Sequence, residues 1–167
     1  MKLSKFVVSF IAVLIFLSVF SGCNAEKDYN GKDIVSFEYI TVDFMGGATN
    51  YKKMLLNSGE IYEKNYYPYG EYEANNTEYQ LINTFDASKK QEIIKKFYNI
   101  GLLELEEEYR AYDVIDGGSW NFIIEYSDGT KKSSLGVNDG PYHLFTEADY
   151  CFYNITGVDF WGRVRKN

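Results

Sequence analysis

One histidine, two cysteines and an uneven scatter of carboxylates are the side chains of this 167-residue chain best suited to acid-base or nucleophilic chemistry. His143 follows Asn138-Asp139-Gly140-Pro141-Tyr142, and Cys151 lies eight positions further on. In a helix that separation is about 12 Å along the axis, too far for a thiol-imidazole pair. Carboxylates are more plentiful: Glu104, Glu106, Glu107 and Glu108 form a run, and Asp113, Asp116 and Asp139 fall at turn signals. An acid and base pair, as in glycoside hydrolysis, needs two carboxyl groups roughly 5 to 9.5 Å apart in a cleft, a distance that sequence spacing does not define. Calcium would need a D-x-[DN]-x-[DN]-G loop, which the sequence lacks. A solvated acidic edge is the expectation for these carboxylates, and no catalytic residue is assigned. Gly-rich phosphate loops, Cys-x-x-Cys pairs, His-Glu-x-x-His and G-x-S-x-G are missing too, so neither a cofactor nor a metal site is expected.

Tyrosine is the residue type in excess, with 16 in a chain that is 18% aromatic. The densest group is Tyr62, Tyr66, Tyr67, Tyr69 and Tyr72, running past Pro68 and Gly70. Tyrosine offers a large amphipathic surface at low conformational cost, so this group is the candidate for binding a protein or glycan partner. The competing explanation is compositional: an A+T-rich genome raises Tyr, Asn, Lys and Ile together, and the rings then simply fill a small sheet.

The amino-terminal segment carries a different kind of chemistry. Lys2 and Lys5 precede an apolar run of 15 residues, Phe6 to Phe20, and Ser21-Gly22 stand immediately before Cys23. The run has the length of a secretory h-region and falls short of the roughly 20 residues that span a bilayer. Phe20-Ser21-Gly22-Cys23 resembles the lipobox of bacterial lipoprotein precursors, departing from it at Phe20, where leucine is usual. That resemblance implies a signal peptide over residues 1–22, diacylglyceryl transfer to the Cys23 thiol, cleavage just before it, and acylation of the new amino terminus. One acyl chain binds a membrane reversibly and two or more hold firmly, so Cys23 would anchor the protein without spanning anything. Asn24, where an aspartate would favour inner-membrane retention by resemblance to sorting rules, mildly disfavours it. The composition also suits a bacterium with a single membrane.

The chain has 17 basic and 24 acidic side chains; removing residues 1–22 takes Lys2 and Lys5 and no acid, leaving 15 against 24 and a formal charge of −9. This balance disfavours a nucleic-acid partner, which needs clustered lysine and arginine. It also gives no electrostatic help at an anionic membrane, so attachment would rest on the lipid. With Cys23 lipidated, Cys151 has no partner for a disulfide and is expected to be a buried, inert thiol.

Residues 23–32 are polar and aperiodic, as a tether would be, and residues 33–167 make one domain. Val35, Phe37 and Tyr39, followed by Ile40, Val42 and Phe44 at the opposite parity, predict a strand with a bulge or change of face. Asn57-Ser58-Gly59-Glu60 predicts a hairpin, and Glu78 to Phe85 a fourth strand with Tyr79, Leu81, Asn83 and Phe85 on one side. Asp86 or Ser88 caps a helix carrying Ile93, Ile94, Phe97, Tyr98 and Ile100, with Lys89, Lys90, Lys95 and Lys96 opposite. Trp120 to Tyr126 and Lys131 to Val137 flank Asp128-Gly129, a strong hairpin signal. A second helix follows from Tyr142 to about Ile155, with Leu144, Ala148, Cys151, Phe152 and Ile155 on its apolar stripe and Gly157 as its stop. Val158 to Val164 could add a short strand. The reading is an α+β fold in the order ββββαββα, with two helices on one face of an antiparallel sheet. Trp120 to Gly157 resembles the ending of small bacterial lipoproteins that have no assigned activity, and no functional residue is carried over from them.

The function expected from these features is that of a lipid-anchored cell-envelope lipoprotein whose domain binds a partner and is not an enzyme. Two alternatives stand beside it: a small envelope hydrolase using an Asp/Glu pair, and an immunity or inhibitor protein using an acidic, tyrosine-rich face.

Overall fold

A computed structural model of the chain describes residues 32–43, 47, 49–66, 76–113 and 117–161. Cys23, Tyr67, Tyr69, Tyr72 and Asp116 lie outside the described residues, as does the segment read as signal peptide and most of that read as tether. From Asp33 onward the chain makes one compact unit.

Its strands are β1 (Ile34–Asp43), β2 (Thr49–Leu55), β3 (Glu60–Tyr66), β4 (Asn76–Thr84), β5 (Glu108–Arg110), β6 (Gly118–Tyr126) and β7 (Lys131–Val137). Helix α1 (Lys90–Asn99) follows β4, and α2 (Tyr142–Thr156) follows β7. All the strands join one sheet in the order β4-β3-β2-β1-β6-β7-β5. The α+β class and the element order agree with the sequence reading, with one addition. Three residues, Glu108–Arg110, pair parallel with β7 from Leu135 to Val137, and a segment so short and charged carries no period-2 signal.

The sheet has one apolar face because apolar residues recur at alternate positions in its central strands. Phe37 pairs with Met54 on one side and Ile124 on the other, and Met54 with Ile61, all fully or almost fully buried. Both helices pack on this face. Phe97 of α1 meets Phe37 at 5.3 Å between ring centroids, and Phe145 of α2 meets Tyr39 at 5.0 Å and Trp120 at 4.9 Å. Each such side chain contributes about 1.5 to 3 kcal/mol through removal of apolar surface from water.

Three sequence readings change at the level of parity. The bulge in β1 lies at its start, between Ile34 and Ser36, so Ile34 is buried and Val35 is not; Ile40 and Val42 stay in register on the opposite face. In β4 the ladder slips twice against β3, making Ile82 an extra residue and moving Tyr79 and Leu81 to the other face from Phe85, which is buried. On α2 the buried residues are Phe145, Ala148, Asp149 and Phe152. Leu144, Cys151 and Ile155 flank that stripe and are only half buried, so the Cys151 thiol sits at the edge of the core rather than inside it.

Beyond α2, Gly157 takes a φ of 75° and ends the helix as expected. Residues 158–161 form a bend, not a strand, and drive Val158, Phe160 and Trp161 into the core. The bend is pinned by a residue that the sequence did not single out. Asp149 is fully buried, and its Oδ1 accepts the amide N–H groups of Phe160 at 3.0 Å and Trp161 at 3.1 Å.

Candidate functional site

Among the described residues, no helix packs on the other face of the sheet, and strand pairing decides which side chains stand there. Glu38, Lys53, Tyr62 and Leu81 lie in one row across β1 to β4; Ile40, Tyr51 and Lys64 lie in the next; Val42, Thr49 and Tyr66 in the third. On the other side of β1, Glu38 pairs with Ile123 and Ile40 with Asn121. Two of the five tyrosines singled out from sequence, Tyr62 and Tyr66, thus belong to this surface, Tyr66 with 46% of its area exposed. Tyr67, Tyr69 and Tyr72 are outside the described residues.

The pairing brings in partners that the sequence reading missed. Tyr79 donates its hydroxyl hydrogen to Glu38 Oε1, and the Lys64 ammonium lies 4.1 Å from the Tyr51 ring centre and 5.0 Å from that of Tyr79. A cation set between two electron-rich ring faces fixes both rings as well as itself. Burial pushes the Tyr79 phenol well above its ordinary range, and the hydrogen bond to Glu38 and the negative charge there add to the shift. Tyr62 is raised in the same direction by partial burial and then by Glu60, whose carboxylate also takes a hydrogen bond from Ser58 at 2.6 Å.

Glu125 organises the far side of this face. Its Oε2 accepts the Ser36 hydroxyl at 3.1 Å and lies 3.6 Å from Lys53 Nζ and 3.8 Å from Lys131 Nζ. Burial opposes its ionisation, yet the Ser36 bond and the two lysines outweigh that cost and hold its carboxyl below the usual range.

The remaining sequence candidates among the described residues do not converge. His143 and Asp139 are exposed at the start of α2, where Asp139 caps Gly140 through a 2.7 Å hydrogen bond. Glu104, Glu106, Glu107 and Glu108 are exposed along the segment around β5, with Glu108 bound to Arg110 at 2.5 Å. Asp113 is exposed in the turn that follows. Among the described residues no group of three or more metal-ligating side chains comes together. Among the described residues two aromatic and polar surfaces stand out: the open face described above, and a cleft at the ends of β1, β2 and β6 beside the start of α2. No family model, no curated protein and no solved structure matches the chain.

Proposed function

We propose that the protein is a lipid-anchored binding module of the bacterial envelope, held at Cys23, that uses the open face of its sheet to engage a protein partner. The observation that carries the reading is the pairing of Tyr51, Tyr62 and Tyr79 with fixed charges, beside exposed Tyr66, on a sheet face without helical cover among the described residues. Seven strands at about 4.8 Å spacing give a platform about 29 Å wide, a scale that suits the ~800 Å² per partner of an ordinary protein interface. Its composition suits the same purpose. Tyrosines are enriched in such interfaces, and Glu38, Glu60 and Glu125 stand among Lys53, Lys64 and Lys131, so a strongly acidic domain presents a patch of near-neutral charge.

The test places a photo-crosslinking phenylalanine analogue at Tyr62 of the full-length chain in its own cells, and at Lys96 on the outer side of α1 as a control. One discrete adduct is expected from Tyr62 and none from Lys96, and Tyr79→Ala should remove the Tyr62 adduct. Equal labelling from both positions, or an adduct indifferent to Tyr79, would overturn the reading.

A further inference from the structure

The helix-bearing face changes character part-way along three neighbouring strands. In β1 the series Phe37, Tyr39 continues at the same parity as Thr41 and Asp43. In β2 Met54 gives way to Lys52 and Asn50, and in β3 Ile61 gives way to Glu63 and Asn65. Pairing stacks these changes into one block, Tyr39 beside Lys52 and Glu63, then Thr41 beside Asn50 and Asn65. The buried aromatic core ends at this boundary, and α2 begins there with Tyr142. Between them opens a cleft of about 420 Å³ whose walls include Tyr39, Trp120 and Tyr142 and whose polar groups include Thr41, Asp43 and Asn50.

The cleft is held in shape by contacts around it. Asn50 spends both amide hydrogens, one on Glu63 Oε1 at 2.9 Å and one on Asn65 Oδ1, which turns its own Oδ1 into an oriented acceptor. Glu63 is in turn 3.8 Å from Lys52. The Trp120 indole donates to the Asp139 carbonyl at 2.8 Å and is 2% exposed, and Tyr39 is 5% exposed. Tyr142, also in the wall, is 42% exposed.

The lining selects a ligand class. Its described residues hold one carboxylate, Asp43, and no lysine, arginine or histidine, so the described wall repels an anionic ligand. It offers a carboxylate, an amide oxygen and hydroxyls to accept hydrogen bonds, together with aromatic surface for a face of C–H groups, in a volume within the range of small-molecule sites. A hydroxyl-rich ring with one apolar face meets all of these terms. We propose that the cleft is a subsite for a neutral pyranose unit of a glycan. It lies at the ends of β1, β2 and β6, where Val42 and Thr49 of the open face also line it, but its described lining includes none of Tyr51, Tyr62, Tyr66 and Tyr79, and it does not depend on what they bind.

The full-length chain in a non-glycosidic detergent is titrated with cellotriose, maltotriose and the N-acetylglucosamine trimer, followed by saturation-transfer NMR and calorimetry. Glucose 6-phosphate and glucosamine serve as charged controls. At least one trisaccharide is expected to bind saturably and more tightly than either control. Tyr142→Ala and Thr41→Val should each weaken it by about 10-fold or more while the melting temperature stays within that of the parent. The proposal fails if no trisaccharide saturates, if a charged control binds best, or if both variants bind undiminished. Loss of binding in Tyr79→Ala with Tyr142→Ala unaffected would also sink it, since that result moves the sugar to the tyrosine platform.

Discussion

Two side chains of the open face, Glu125 and Tyr79, make opposite statements about protonation. Glu125 has its carboxyl pKa lowered on folding, so its contribution to stability is present above the unfolded value near 4.5 and is lost as pH falls through the lower folded value. Glu125→Gln should therefore flatten the acid limb of a stability-against-pH curve measured by urea unfolding, with the two proteins converging at the lowest pH. Unchanged acid limbs would mean that Lys53 and Lys131 do not favour the ionised form. Tyr79 has its phenol raised, so it should be among the last tyrosines to ionise in an alkaline absorbance titration, and Tyr79→Phe should delete that late component. The same substitution removes the hydrogen bond to half-buried Glu38, at a cost of about 1 kcal/mol in urea unfolding. His143, the one imidazole and the first place to look for acid-base chemistry, is exposed in the first turn of α2.

Elements are held in place here by a few close approaches. A Cβ on Gly136 of β7 would lie 2.0 Å from Trp120 Nε1 and 2.5 Å from the Asp139 carbonyl, in the middle of the hydrogen bond that fixes the indole. Gly136→Ala should cost about 2 to 3 kcal/mol in chemical denaturation and shift tryptophan emission, because neither strand β6 nor the ring can yield without breaking core packing. Asp149→Ala strands two buried amide donors at 160 and 161, at about 1 to 3 kcal/mol each, and should expose Trp161 to quenching; full protection of Trp161 would show that the bend holds without the carboxylate. The periods that announce elements were legible in the sequence: alternating Trp120, Phe122, Ile124 and Tyr126, the Asp128-Gly129 turn, and the Gly157 stop. What stayed hidden depends on pairing. The two slips of β4 cannot be seen without β3, and they decide that Tyr79 faces Glu38. The passage from Phe37 to Asp43, from Met54 to Asn50 and from Ile61 to Asn65 is written in three separate segments. It becomes a cleft only when the register lays them side by side. Asp149 reads as a surface residue in a helix until the chain beyond Gly157 folds back onto it.

At the scale of the whole molecule, charge and anchor have to be considered together. If residues 1–22 are removed as proposed, the mature chain would carry 15 basic and 24 acidic residues and would be repelled by anionic headgroups, while the open face of the sheet, with its paired charges and tyrosines, would suit a protein partner rather than a lipid surface. Under the proposed anchoring, lipid on Cys23 would remove the need for electrostatic attraction, and the mostly polar stretch from Asn24 to Lys32 would serve as the tether. The arrangement predicts a specific behaviour. Cells fed labelled palmitate should incorporate it into the wild-type chain and not into Cys23→Ala, which should also run at the size of the uncut precursor, heavier by residues 1–22. Wild-type protein should stay with the membrane through a high-salt wash, since screening has no attraction to weaken, and should leave only with detergent. Label retained in Cys23→Ala, or release of the wild type by salt alone, would show that the protein is held by something other than lipid on Cys23.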